Sequence, residues 1–259
     1  MNNNRVILKF TGEALSGVGP AAKRPFSPEA MQFLVSQVRT ALEEFKRQLQ
    51  VLIVVGGGNF FRGREVKKDF PKFRAVRAHL MGMNNTVNNG VALRQQFLLE
   101  DGMDEDCVRL MNALGAGQAG EPYFFEKAEH HLNNGRLVIQ VGGTGVPFFS
   151  TDTGAVIRGL ELNASLILKC SKSPVCDKNP DEHKDAEFIP RITYQECRER
   201  DLGIIDKQAI GTLLEQLPED RIPIAVFNVF EPGSLLKVLR GRHPRASYIS
   251  EPGWEPEKL

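Results

Sequence analysis

Short runs of apolar, largely β-branched residues recur along the chain, and between them lie longer stretches whose apolar residues return every three or four positions. The short runs are Arg5–Phe10, Val51–Val55, Val108–Leu114, Leu137–Val141, Ser165–Cys170 and Ile222–Val229, each of strand length. The first long stretch predicts a helix opening at Ser27-Pro28-Glu29, with Met31, Leu34, Val38, Ala41 and Phe45 on one side. A second places Val76, Leu80, Met83, Val87, Val91 and Leu98 on one face. Further helices are predicted over Tyr123–Leu132, Asp152–Leu162, from the capping-box pair Thr193 and Glu196, from Asp206 through Leu217, and over Gly233–Leu239. Strands that alternate with helices need crossover connections, so the expected fold is a doubly wound α/β structure with a largely parallel sheet between two helical layers. The continuous apolar run Val51–Val55 suits a strand covered on both faces. No repeat, low-complexity tract or shift in composition divides the chain, so residues 1–259 are read as a single domain.

Composition excludes several classes. With 33 Lys+Arg against 32 Asp+Glu the formal charge is +1, which gives no global basic excess for coating nucleic acid. No apolar run approaches the roughly 20 residues of a membrane span. Met1-Asn2-Asn3-Asn4-Arg5 passes straight into a strand without a signal-like apolar segment. Cys107, Cys170, Cys176 and Cys197 show no CxxC or zinc-type spacing and are expected to be reduced thiols of a cytoplasmic protein. No metal-ligand set is read from the sequence.

In a parallel sheet ligands bind beyond the carboxyl ends of the strands, so the residues that follow each strand carry the functional information. The first strand runs into Lys9-Phe10-Thr11-Gly12-Glu13, the second into Gly56-Gly57-Gly58-Asn59-Phe60-Phe61-Arg62-Gly63. The Leu137–Val141 strand runs into Gly142-Gly143-Thr144-Gly145, then Val146-Pro147-Phe148-Phe149-Ser150-Thr151-Asp152. Glycine lets backbone N–H groups approach an anion closely, and helix N-termini beyond such loops favour phosphate. Any one cluster is explained by a tight turn; three at one sheet edge suit a site that holds two phosphorylated groups. Phosphoryl transfer fits, because its catalysis consists mostly of positioning and charge neutralisation.

Other features carry less. Gly115-Ala116-Gly117-Gln118-Ala119-Gly120 matches GxGxxG, but Glu121-Pro122 interrupts the helix start and Gln140 stands where an acid is needed, so it is not read as a dinucleotide site. No Walker A sequence is present. In the basic stretch from Arg62 to Arg77, Lys67, Lys68 and Lys72 are expected to form a solvated face, whereas Arg62 sits directly behind the glycine loop. His130-His131 lies near a helix end and is assigned no chemistry.

Seven segments together resemble the bacterial-type uridylate (UMP) kinases of the amino-acid kinase superfamily, in order and spacing across nearly the whole chain. They are Lys9–Leu15, Gly56–Gly63, Met81-Gly82-Met83, Gly142–Asp152, Leu168–Lys172, Ile204-Ile205-Asp206 and Val226-Phe227-Asn228. The resemblance implies a homohexamer that transfers the γ-phosphoryl group of ATP, bound with Mg2+, to UMP. Carried over by position, Lys9, Arg62 and Asp206 would be catalytic, with Lys9 at the transferring group and Asp206 orienting it. Phe10, Thr11, Gly12, Gly58, Arg62, Ser171, Cys176 and Asn179 would border the donor nucleotide. Gly57, His79, Thr144, Gly145, Val146, Pro147, Phe148, Phe149, Ser150 and Thr151 would line the acceptor site.

The chain departs from the family at both base-recognition ends. His79 replaces an acid expected at the acceptor ribose, and Val146 replaces an asparagine. Lys172–Pro180 is one residue shorter than the family's run, with Cys176 in place of an aromatic residue and Asn179 in place of an acid. The tail Gly241–Arg245 also lacks the family's Gly-Thr ending. Two alternatives therefore stay open: a non-catalytic protein that binds a nucleotide or other oxyanion, and a kinase of a small carboxylate or phosphate.

Overall fold

The computed structural model describes residues 4–17, 24–46, 48–61, 63–115, 117–180, 182–200 and 202–256. The first half comprises β1 (Arg5–Phe10), α1 (Gly12–Ser16), α2 (Pro28–Glu44), β2 (Gln50–Val55), α3 (Gly63–Asp69), α4 (Ala75–Leu98) and β3 (Val108–Asn112). It is followed by β4 (Glu121–Pro122), α5 (Phe125–Asn133), β5 (Leu137–Val141), α6 (Thr151–Glu161) and β6 (Leu166–Ser171). The remainder holds β7 (Arg191–Thr193), α7 (Tyr194–Arg200), α8 (Lys207–Leu214), β8 (Ile224–Asn228), α9 (Ser234–Leu239) and β9 (Ser247–Ser250).

These strands form one nine-stranded sheet in the order β4-β3-β5-β2-β1-β6-β8-β9-β7. Every neighbouring pair is parallel except β8 with β9. The doubly wound, largely parallel α/β fold expected from the alternation is thus the fold observed.

Because side chains along a strand point alternately to opposite faces, the sheet divides two cores. Val6, Leu8 and Phe10 of β1 join Val51, Ile53 and Val55 of β2 and Leu166, Leu168 and Cys170 of β6 on one face, covered by α1, α2, α4 and α9. Ile7, Leu52, Val54 and Ile167 face the other way, under α5, α6, α7 and α8. On this second face the next positions toward the carboxyl edge are Lys9 and Lys169, set side by side by the β1–β6 register. After β5 the chain crosses through α6, which packs on β2, β1 and β6, to reach the far side of β1. The strand order therefore reverses between β1 and β6, where an open sheet presents its ligand crevice.

Local chemistry starts the helices where the sequence indicates. Ser27 Oγ accepts from Ala30 N at 3.2 Å ahead of Pro28. The Thr193–Glu196 capping box closes reciprocally, Thr193 N donating to Glu196 Oε2 at 2.9 Å and Glu196 N to Thr193 Oγ1 at 3.1 Å.

Several boundaries differ from expectation. The helix from Asp206 stops at Leu214 rather than Leu217, because Leu217 precedes Pro218 and is held extended (φ −60°, ψ 147°). β3 ends at Asn112, whose Oδ1 accepts from Leu114 N at 2.9 Å and turns the chain out of the ladder. Glu121-Pro122, read as interrupting a helix start, does so by forming β4, and α5 begins only at Phe125. α1, α3, β4, β7 and β9 are too short to produce a periodic signal. Lys67, expected only to be solvated, donates to the carbonyls of Pro71 and Phe73 and closes the turn after α3.

α4 lies close enough to β5 that Gly90 has no room for a side chain: a Cβ there would overlap Val141 Cγ1. Gly90→Ala is expected to lower stability by roughly 1–3 kcal/mol despite alanine's better helix propensity. The urea midpoint checks this, and adding Val141→Ala should recover part of the loss; additive losses would rule out the steric account.

Candidate phosphoryl-transfer site

The carboxyl ends of β1, β2, β5 and β6 meet the loops singled out in the sequence, and the centre of that edge is ionic. Lys9 and Lys169 are 7% and 8% exposed, which buries two ammonium groups on adjacent strands. Asp152, in the first turn of α6, sits between them. Lys169 Nζ donates to its Oδ2 at 2.6 Å, and Lys9 Nζ lies 2.8 Å from its Oδ1. Asp152 is the one partner of the Lys9 ammonium among the described residues, whereas Lys169 Nζ also donates to the Ile204 carbonyl. Lys169 is therefore anchored twice, and the Lys9 ammonium keeps donors available for another acceptor.

Ser150 caps α6, its Oγ accepting from Asp152 N at 3.1 Å and Thr153 N at 3.2 Å, which fixes the turn that carries the carboxylate. Burial alone would raise the Asp152 carboxyl, but Lys169 and then Lys9 outweigh it and hold it well below the usual carboxylate range. Burial pulls the Lys169 ammonium below the ordinary lysine value, and Lys9 adds to that effect while Asp152 opposes it. The neighbouring Cys170 thiol is pushed far up by burial and is no nucleophile at neutral pH.

Asp206 stands one link away. It caps α8 by accepting from Gln208 N at 2.8 Å, and Thr153 Oγ1 donates to its Oδ2 at 3.3 Å. The carboxylate in contact with Lys9 is that of Asp152, while Asp206, expected to orient Lys9, acts on the cluster through its charge beside Lys169. α6 begins at this edge and so places Asp152 beside Lys9 and Lys169, while the Asp206 carboxylate accepts from its own helix and from Thr153.

The backbone loops close around this centre. Thr11 caps α1 through Ala14 N at 3.2 Å, and Phe10 offers only its backbone, its carbonyl accepting from Gly56 N at 2.8 Å while its ring is buried in the opposite core. Added Cβ atoms would meet Gly58 N at 2.5 Å from Gly12, and Gly82 O of α4 at 2.8 Å from Gly57, so these glycines let the loop after β2 pack against the start of α1 and against α4. Gly142, Gly143 and Gly145 adopt φ of 81°, 60° and 84°, the left-handed region that glycine enters without strain. Phe148 enters it too, at φ 77°, with its exposed ring 4.7 Å from the His79 ring. Val146 and Phe149 are exposed and Pro147 is half-buried; Thr144 Oγ1 accepts from Val146 N at 3.1 Å. Ser171 ends β6, its carbonyl accepting from Val229 N at 3.0 Å.

Beyond β6, Cys176 pairs its backbone with Phe188, and its buried thiol donates to the Pro174 carbonyl at 3.9 Å. Asn179 is exposed and donates to Glu182 at 2.8 Å. Arg62 lies outside the described residues.

Among the described residues no group of three or more His, Cys, Asp or Glu side chains is placed to hold a metal ion. Both oxygens of Asp152 face lysine, which does not fit a metal ligand.

A family model described as the amino acid kinase family matches residues 4–228. The chain belongs to the amino acid kinase family. Within it the chain groups with proteins named uridylate kinase. The one from Wolinella succinogenes is 36% identical over 249 residues, covering 96% of this chain and 97% of its own length. The one from Magnetococcus marinus is 39% identical over 248 residues, covering 95% and 96%. The crystal structure of UMP kinase from Bacillus anthracis superposes with a TM-score of 0.84 at 27% identity, covering 96% of this chain and 97% of that one. That of UMP kinase from Ureaplasma parvum gives 0.81 at 26% identity, covering 97% and 100%.

For this amino acid kinase, sequence reasoning missed Asp152 and Lys169. Their signals were present: a lysine inside the apolar run LILKCS, and an acid two residues after a serine N-cap.

Asp152→Asn would leave two buried ammonium groups without a counter-charge, and is expected to cost about 3–5 kcal/mol of stability at neutral pH. The folded carboxyl lies below its unfolded value of 3.8, so its contribution is complete above that value and falls away in acid. Urea titrations from pH 7 to 3 should therefore show the gap between wild type and variant narrowing below about pH 4. A gap independent of pH would contradict the ion-pair assignment.

Proposed function

We propose that this chain transfers the γ-phosphoryl group of ATP to UMP, giving ADP and UDP. The observation that carries this reading is the Lys9–Asp152–Lys169 cluster at the carboxyl edge, with glycine-rich backbone converging on it from β1, β2 and β5. Membership of the amino acid kinase family and the similarity to named uridylate kinases support it.

The chemistry asks little of a general base. An oxygen of the UMP phosphate is already anionic and attacks the γ-phosphorus, while the bond from that phosphorus to the β,γ-bridging oxygen breaks and ADP leaves with the electron pair. The obstacle is repulsion between two polyanions. Lys9, its ammonium held beside Asp152 but free to donate, neutralises the transferring group. Lys169 keeps Asp152 ionised and in place. Mg2+ enters as part of the ATP substrate, carried by phosphate oxygens and water.

On this reading Thr11, Gly12 and Gly58 border the donor phosphates, and Arg62 contributes a further cation. Ser171, Cys176 and Asn179 mark the donor-base side, although the buried thiol leaves Cys176 no surface on which to stack a base. Gly57, His79 and Thr144 through Thr151 line the acceptor side, where the His79–Phe148 ring contact shapes the pocket in place of a carboxylate. A buried cationic pair held ready beside an open edge is more than a passive oxyanion binder requires.

The homohexameric state and the cytoplasmic location expected from the family belong to the same proposal. The four cysteines are free thiols, and no described helix is long and apolar enough to cross a membrane. Sedimentation should show a species six times the 28.9 kDa chain mass; a monomer would remove the hexamer.

A coupled ADP-release assay with ATP and UMP, CMP, dUMP or GMP tests the activity, with UMP expected to be the preferred acceptor. No turnover with any pair would reject the proposal. Lys9→Ala is expected to lower kcat by roughly 10²–10³-fold, the scale of losing one transition-state donor, with unfolding by circular dichroism checking that the variant is folded. Near-normal turnover would remove Lys9 from the mechanism.

A further inference from the structure

Arg158, two turns into α6, is 4% exposed, and its guanidinium meets three separate groups. Nη1 donates to both carboxylate oxygens of Glu161 at 2.8 Å. Nη2 donates to the Thr144 carbonyl at 3.3 Å. The guanidinium carbon lies 4.0 Å from the centroid of the Tyr123 ring, and the Tyr123 hydroxyl in turn donates to Glu161 at 2.7 Å. Nε is buried with no hydrogen-bond partner among the described residues.

A buried guanidinium with an unmet donor is a poor choice for stability alone, because an apolar side chain of similar volume would fill the space without that penalty. Such breaches of local economy concentrate where a site needs them. The other anchors of the glycine loop show the need. Gln140 Nε2 donates to the carbonyls of Val141 at 2.6 Å and Gly143 at 2.8 Å, and Gly142 N donates to Thr86 Oγ1 at 2.7 Å. These hold the first half of the loop. Beyond Gly143 the described bonds are internal, Gly145 N to Gly142 O at 3.1 Å and Val146 N to Thr144 Oγ1 at 3.1 Å, apart from that of Arg158. Gly154, one turn before Arg158 on the same helix face, also lies against the loop: a Cβ there would stand in ordinary contact, 3.8 Å from Thr144 Cγ2.

We propose that Arg158 is a positioning residue for the phosphoryl acceptor: through the Thr144 carbonyl it fixes the loop that holds the acceptor, without touching the acceptor itself. This rests on the reading that Thr144 to Thr151 line the acceptor side. It also makes α6 a single rod carrying Asp152 at one end and the loop brace two turns on, so that both ends of the reaction share one support.

The test uses the full chain with Arg158→Lys, which keeps a charge for Glu161 but lacks the fork that reaches Thr144, and Tyr123→Phe, which keeps the ring but frees Glu161. Arg158→Lys is expected to raise KM for UMP about 10-fold, the loss of one charge-assisted hydrogen bond, with kcat and the KM for ATP within about three-fold. Tyr123→Phe should shift the KM for UMP the same way by about two- to three-fold. Amide hydrogen exchange at Gly145 and Val146 should quicken in Arg158→Lys and slow again at saturating UMP. An unchanged KM for UMP in folded Arg158→Lys, an equal rise in both KM values, or unaltered exchange in the loop would overturn the proposal. If Arg158→Lys fails to fold, an unchanged KM in Tyr123→Phe overturns it. A wild-type protein that does not phosphorylate UMP would instead overturn the acceptor reading, and loop exchange would still decide whether Arg158 fixes the loop.

Discussion

Two lysines occupy matching positions on adjacent parallel strands, on the same face and at the same edge. Strands lie about 4.8 Å apart, and at that separation two like charges repel by roughly 3 kcal/mol at an effective dielectric near 20. Neither ammonium could be buried there alone. The carboxylate of Asp152 is the condition for both, and it is delivered by the capped first turn of α6. The path of α6 beneath β1 and β2 to β6, the serine that caps it and the glycine loop that leads into it all follow from placing one negative charge between two positive ones.

Much of this was legible in the residues. The six longer strands and the principal helices follow from apolar periodicity, and the carboxyl-edge loops announce themselves by glycine. The ionic centre was only half visible. Lys9 stands at a strand end beside a glycine motif, but Lys169 reads as an oddity in an apolar run until the register sets it beside Lys9, and register is a tertiary fact. Asp206 is expected at the cluster because its segment resembles the family's; it caps its own helix, meets Thr153 and adds its charge beside Lys169. The short strands β7 and β9 escaped because three or four residues of mixed polarity carry no period, and their pairing, β7 on β9 and β9 on β8, joins segments separated in sequence.

The departures from the family gather on one kind of surface. The groups proposed to meet phosphate keep the types expected from the resemblance, and those described lie on strand ends and buried backbone, where a change is felt by the core. The changes at His79, Val146, Cys176 and Asn179 fall on a helix flank, an exposed loop and a hairpin, where a new side chain finds local partners. His79 meets the Phe148 ring, and Cys176 retires beneath its bridge to Phe188. Phe148 retains a backbone conformation that an aromatic residue adopts only under constraint, which marks its loop as held rather than slack.

The antiparallel strand β9 has a consequence for how the molecule comes into being. It is the last of the described strands in chain order, yet it sits inside the sheet, between β8 and β7, and Ser247 Oγ accepts the Val175 N–H at 2.9 Å. A nascent chain can pair β1, β2, β5 and β6 as they emerge, but β7 has no neighbour to dock on until residue 250 has cleared the ribosome. The hairpin beyond β6 is seated by the same segment, so that flank of the crevice closes only after β9 is available to join β8, β7 and Val175 in one step.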